Sequence, residues 1–424
     1  MNVTECHKDS NGLADFGELL TVHLLPLLFG ARLAGFGHSE RAHLAPSVAY
    51  HGRYRLRISP QPHCRSFFTI ERKVSFSEEE RSFVEQVVKA LHEARCPQPG
   101  PALMTYAIER AIAHCVGPVC APTLCDMFQV YKEWTEPGNW SGIHNSGIYF
   151  SRSKGTGGNF FALRNESCLQ SMGASPDILL AIGRGGDILR VEKIPPPPSD
   201  HKRFQDLAAP IAHADIALWT SSRKAALRLC PDGALLVFFA KRLLFMHRES
   251  HWRSFPHTLA GIGELLPADC PSCLPPGLRQ AMYLTCLDLS FAGQKACIGI
   301  LPAGPDATAR LEKLCGNALF TAKNLSGGIK LMADLVGNKK FQDLPRSFRM
   351  EMASMDGPLI LDEQGKILSA GAGLSFRQGQ GAFSDREAAQ SFAEYGLGVS
   401  INKQGGVEVF GARYARANAE CGGV

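Results

Sequence analysis

The chain has 424 residues, 45% of them hydrophobic and 20% charged, and a formal net charge of +5. That length exceeds what one hydrophobic core organises, so two or three compact units are expected, and the composition excludes a wholly disordered chain or a bundle of membrane spans. Both signs of charge are interspersed, and so thin a basic excess does not make a nucleic-acid or membrane surface; the partner expected is a small anionic ligand, with no DNA, RNA or membrane.

In chain order, the apolar stretch 16–36 contains Glu18, His23, Pro26 and Arg32, which suits neither a signal peptide nor a membrane span. It reads as one or two amphipathic helices, and the expected location is the cytoplasm. Residues 75–94 begin with Ser and an acidic turn and continue with Phe83, Val87, Val88 and Leu91 at helical spacing. A second helix is expected over 102–115, after the break CPQPGP. The 14 cysteines are scattered and should stay reduced. Cys270 and Cys273 are the only close pair, and Cys115, Cys120 and Cys125 complete no zinc pattern.

Beyond residue 130 short apolar runs separated by turn residues predict strands at 147–151, 159–164, 177–182 and 187–194, the last two joined as a hairpin through Gly183–Arg184–Gly185–Gly186. A helix over 203–230 is followed by a hairpin of ALLVFF and RLLFMHR. KGTGGN at 154–159 lacks the ending of a phosphate loop and lies between strands, so it reads as a hairpin loop. The polar cluster from His247 to Trp252 reads as a solvated strand end with one buried tryptophan, ahead of base stacking or metal binding. Four prolines and the cysteine pair in 261–276 mark a boundary.

The last section alternates: helix 277–292, strand 296–301, helices 305–322 and 327–336, strands 358–362 and 366–371, helix 385–395, then the strands GLGVSIN and GVEVFG. This predicts an α/β (α+β) layer structure with a mixed central sheet flanked by helices. The organisation expected is a helical or mixed N-terminal region 1–130, a β-rich module 131–270 and an α/β domain 271–424. No repeat at a fixed short period is visible, which removes solenoids and propellers.

Read in order, LRQAMYLTCLDLS, ACIGIL, MDGPLILDEQGKILSAGAGLS and GAFSDREAAQSFAEYGLGVSINKQGGVEV resemble the diadenylate cyclase domain. The stretch LCPDGALLVFFAKRLLFMHRESHW resembles a hairpin of cyclase-like proteins predicted to be nucleotide sensors in prokaryotic conflict systems. The resemblance implies a catalytic and metal-binding role for Asp356 and ligand contacts from Gly357, Ser384, Asp385, Arg386 and Arg377. It also implies Mg²⁺ or Mn²⁺, and a homodimer or an effector partner. In-line attack of a hydroxyl on an α-phosphate needs phosphate-binding cations and a metal-binding carboxylate.

The chain departs from that pattern. Pro358 replaces a small alanine and deletes a backbone donor, Leu301 stands where the family places glutamate, and Ser384, Asp385, Arg386 and Glu387 replace threonine with an Arg-His-Arg run. Loss of cations weakens transition-state stabilisation more than binding, so the expectation is a sensor of a nucleotide or cyclic dinucleotide with a degraded cyclase domain. The alternatives are an active divergent cyclase, which would need a dimer, and a scaffold that binds no ligand. Residue by residue, Asp356–Gly357 also reads as a plain turn and Ser384–Glu387 as a helix capping box.

Overall fold

The computed structural model describes residues 16–28, 31–38, 47–59, 66–72, 75–94, 100–135, 142–151, 157–196, 202–255, 274–301, 327–371, 384–394, 396–403 and 406–411. The chain forms two compact units, one of Met1–Pro197 with Asp215–His257 and one of Pro198–Ala214 with Thr258–Val424. The architecture is α/β in the broad sense, with helices and mixed sheets. Among the described residues no helix is long and apolar enough to cross a membrane.

The first unit opens with helical turns to Leu27 and then an antiparallel sheet in the order β1-β4-β3-β2, formed by β1 (Arg32–His38), β2 (Ser47–Tyr50), β3 (Arg55–Ser59) and β4 (Ser66–Glu71). Alternation buries Leu56, Ile58, Phe68 and Ile70 on one face. Helix α1 (Glu78–Glu93) starts at a capping box in which Ser77 and Glu80 satisfy each other's backbone N–H. It packs on α2 (Pro101–Val116), which packs on α3 (Ala121–Thr135).

A seven-stranded mixed sheet follows, in the order β11-β10-β9-β8-β5-β6-β7. Its strands are β5 (His144–Tyr149), β6 (Ile178–Gly183), β7 (Ile188–Lys193), β8 (Lys224–Leu229), β9 (Leu235–Phe239), β10 (Arg242–Arg248) and β11 (His251–Ser254). Only β5 and β6 are parallel. The boundary expected at 130 falls inside α3, and Phe128, Tyr131 and Trp134 share one core with Ile148 and Leu180. The N-terminal region and the β-rich module are therefore continuous.

Three expected elements differ. The helices expected over 16–36 end at Leu27, and Arg32 begins β1, which is held by pairing with β4. The strand expected at 159–164 is a short helix, Phe160–Leu163, because the Asn159 side chain accepts from the Phe161 N–H at 3.0 Å and caps a turn. The helix expected over 203–230 is broken into Lys202–Gln205, Ala214–Trp219 and the strand β8. Pro210 interrupts it, and KAALRL, though built of good helix formers, is paired on both sides by β5 and β9.

The second unit has a five-stranded sheet in the order β14-β13-β12-β15-β16, formed by β12 (Ala296–Leu301), β13 (Leu359–Asp362), β14 (Ile367–Ser369), β15 (Leu397–Ile401) and β16 (Val407–Gly411). The fully buried β12 is its centre. Around it lie α4 (Pro276–Ala292), α5 (Gly327–Val336), α6 (Arg346–Ala353) and α7 (Asp385–Ala393). The helix expected over 305–322 lies outside the described residues, as do Cys270 and Cys273. Asp288 of α4 and Arg346 of α6 form a bidentate pair at 2.6 and 2.7 Å, 0% and 2% exposed. Arg346 also donates to the carbonyls of Phe204, Leu207 and Ala209, and Asp288 accepts from the Ile211 N–H at 2.8 Å.

The two units share one design. Order and direction in β7-β6-β5-β8-β9 repeat in β14-β13-β12-β15-β16, with the single parallel pair in the same place. In the hairpins, Ala181 pairs with Arg190 and Ile182 with Ile188, as Ile360 pairs with Ser369 and Leu361 with Ile367, with the same bulge between them. The turns put Gly186 and Gly365 at matching positions, with φ +87° and +81°. Likewise Ala226 pairs with Phe238 and Leu229 with Leu235, as Gly398 pairs with Phe410 and Ile401 with Val407. Each central strand carries a glycine, Gly147 or Gly299, filled by an aromatic ring from the helix before the next strand, Trp219 or Phe392.

At the polar end of the seven-stranded sheet Glu249, Ser250 and His251 are exposed, and Trp252 is buried together with His247. Glu109, 1% exposed, accepts from Lys132 Nζ (2.8 Å), Gln129 Nε2 (2.6 Å) and Trp252 Nε1 (3.2 Å). His247 is 8% exposed, and burial, with Lys132 and His251 nearby, lowers it from 6.5 to about 4. The unfolded imidazole binds its proton near 6.5 and the folded one only near 4. Between those values the unfolded state holds more protons, so stability falls as pH drops through that window, by roughly 3 kcal/mol in all. Urea unfolding of His247→Phe from pH 7 to 4 is expected to show a flatter loss than the natural chain; parallel losses would remove His247 as a source.

Candidate functional site

In the second unit β12 and β13 run parallel and β15 antiparallel to both, so the start of β12, the approach to β13 and the end of β15 lie at one edge of the sheet. Asp356 and Gly357 occupy that approach, between α6 and β13. Asp356 is exposed and Gly357 has φ +105°, a backbone conformation that side-chain-bearing residues seldom adopt. The hairpin returns to the same place, since a Cβ on Gly371 would lie 3.5 Å from the Asp356 carbonyl oxygen.

Helix α7 starts at this edge too. It packs along β12, β15 and β16, and the charge of Asp385 helps burial push the Cys297 thiol, at the second position of β12, up to about 12. The topology thus brings Asp356–Gly357 and Ser384–Asp385–Arg386 to one edge. Arg377 lies outside the described residues.

The side chains at the helix start are engaged locally. Ser384 Oγ accepts from the Glu387 N–H (3.3 Å) and donates to Glu387 Oε2 (2.9 Å), while the Ser384 N–H donates to the same carboxylate (2.9 Å). This is a complete capping box, and its hydrogen bonds, first from the Ser384 backbone, hold the Glu387 carboxyl below its ordinary range. Arg386 Nε pairs with Glu408 Oε2 of β16 at 2.9 Å, both half-exposed. Such a pair contributes about 0–1 kcal/mol and is readily given up to a stronger anion. Leu301 is buried at the far end of β12, and Asp362 beside it accepts from the backbone of Gln364 and Lys366 as a turn residue.

Among the described residues no three His, Cys, Asp or Glu side chains converge to hold a metal. Asp356 supplies one carboxylate, which suits Mg²⁺ or Mn²⁺ only where ligand phosphates complete the coordination. The first-unit counterpart of this edge is closed. There Arg228, 3% exposed, donates to Asp215 (3.2 and 2.9 Å), to Asn145 Oδ1 (2.7 Å) and to the Pro176 carbonyl (3.2 Å). By register Asn145 and Arg228 answer to Cys297 and Ser400, so the second unit has small uncharged side chains where the first has an ion pair. No sequence signal marked this difference, because the partners lie far apart in the chain. The chain matches no family model, and no curated protein is similar to it in sequence.

Proposed function

We propose that the chain is a binding protein for a nucleotide or cyclic dinucleotide, seated at the Asp356–Gly357 and Ser384–Arg386 edge of a diadenylate-cyclase-like unit whose catalysis is degraded. The convergence of both segments on one sheet edge carries the reading, together with the resemblance of their sequences. A glycine turn admits a sugar or phosphate close to backbone, and the first turn of a nine-residue helix with an arginine suits an anion. Binding is favoured over turnover because Ser384 is committed to its cap, Arg386 is the single cation of its turn and Leu301 brings no carboxylate.

The test is incubation of the purified chain with ATP and GTP plus Mn²⁺, with mass spectrometry of the solution and of the protein-bound fraction. The expected result is intact nucleotide retained by the natural chain and lost from Asp356→Asn. A cyclic or linear dinucleotide that accumulates with time would replace the sensor reading with an active cyclase, and no retained nucleotide on folded protein would leave the scaffold reading.

A further inference from the structure

The topology shared by the two units sets apart a cluster on the first unit's sheet that lies outside the nucleotide edge. Gly147, with Trp219 lying on it, is common to both copies as Gly299 with Phe392. Around that ring the first copy has Tyr149, Arg190, Glu192 and Lys224. At the matching registers the second copy has Leu301 and Ser369, and the same offsets carried past the last strand pairs reach Gly371 and Gly396. The fold is therefore built without these polar groups.

Their geometry is specific. Glu192 accepts from Tyr149 Oη (2.8 Å), Trp219 Nε1 (3.1 Å) and Arg190 Nε and Nη2 (2.8 and 2.6 Å), so side chains from three segments orient one carboxylate. Lys224 Nζ lies 3.9 Å from the centre of the Trp219 ring and 5.7 Å from that of Tyr149, and Arg190 is 5.7 Å from the Tyr149 ring. Two cations thus share one aromatic pair and one carboxylate already in use. Burial lowers Lys224, which no carboxylate meets at ion-pair distance among the described residues. In the second copy Leu301, Ser369 and Phe392 are buried, whereas Arg190 is exposed and Lys224 and Tyr149 are partly so.

We propose that Lys224 and Arg190, standing on Tyr149 and Trp219, form an anion site for the phosphate group of a small phosphorylated molecule, separate from the Asp356 edge. A phosphate monoester carries about −1.5 to −2 charges and matches two cations, where a single carboxylate matches one. Arg190 keeps its Nε and Nη2 on Glu192 and offers Nη1 to one phosphate oxygen, while the ammonium of Lys224 takes another.

The experiment titrates the full chain with inorganic phosphate, pyrophosphate and acetate at low salt, by calorimetry. Saturable binding of phosphate or pyrophosphate is expected, weakened at least about tenfold in Lys224→Met and in Arg190→Met, the loss of one charge-assisted contact. Retention of nucleotide by the full chain is expected unchanged in Lys224→Met, which separates this site from the nucleotide edge. Absence of saturable binding, affinity untouched by Lys224→Met in protein with the natural chain's circular dichroism, or acetate binding as tightly as pyrophosphate would each overturn the proposal.

Discussion

Replacing Arg346 with Met is expected to destabilise the second unit by about 3–5 kcal/mol, the effect of stripping one partner from a buried ion pair. The change leaves the buried Asp288 carboxyl without its partner and takes donors from the carbonyls of Phe204, Leu207 and Ala209. Those carbonyls belong to the segment that leaves the first unit after Pro197 and returns at Asp215, so the arginine fixes a crossover as well as two helices. Hydrogen exchange provides a local readout. Amides of β12 and β13 should lose roughly 10²- to 10⁴-fold in protection, with those of β5 and β8 nearly unaffected. Equal loss in both sheets would mean that the units open together. Arg346→Met combined with Asp288→Leu should recover only part of the loss: the lone buried charge is removed, but the carbonyls of Phe204, Leu207 and Ala209 and the Ile211 N–H lose these side-chain partners.

Elements with strong periodicity or punctuation were legible in the sequence. The helix read over 75–94 is α1, and the hairpins read from Gly183–Gly186 and from ALLVFF with RLLFMHR are present. The sheet of β1–β4 was not, since RLAGFGH has neither a continuous apolar run nor clean alternation and is held by cross-strand partners far along the chain. Strand β8 was hidden for a different reason, as Lys224–Leu229 has helix-forming residues and becomes a strand only through its neighbours on either side.

At the candidate site the capping box of Ser384 and Glu387 was readable, because both groups lie within one turn. The pairing of Arg386 with Glu408 depends on the register of β15 and β16 and was not. The cluster around Glu192 draws on four separate segments, so no linear motif announces it. The shared topology of the two units escaped because it leaves little trace in the letters. What persists is register, turn conformation and a few positions such as Gly186 with Gly365 and Phe238 with Phe410, while buried aliphatic residues interchange freely.

The shared packing of the two copies makes a matched prediction. A Cβ on Gly147 would lie 2.3 Å from the Trp219 ring, and one on Gly299 2.7 Å from that of Phe392, so Gly147→Ala and Gly299→Ala must each displace a buried ring. Neither glycine has a positive φ. On backbone grounds alone alanine would therefore stabilise by about 0.4–1 kcal/mol, and a measured loss reports the crowding itself. Overpacking of this kind costs roughly 1–3 kcal/mol. Pairing each change with a smaller ring partner, Trp219→Leu for the first copy and Phe392→Leu for the second, should give coupling energies above about 0.5 kcal/mol of the same sign. Denaturant unfolding of the two cycles measures this. Coupling in one copy and additivity in the other would mean that the glycine and ring coincide in position without sharing a structural role, and it would remove the comparison that sets the polar groups around Trp219 apart from the needs of the fold.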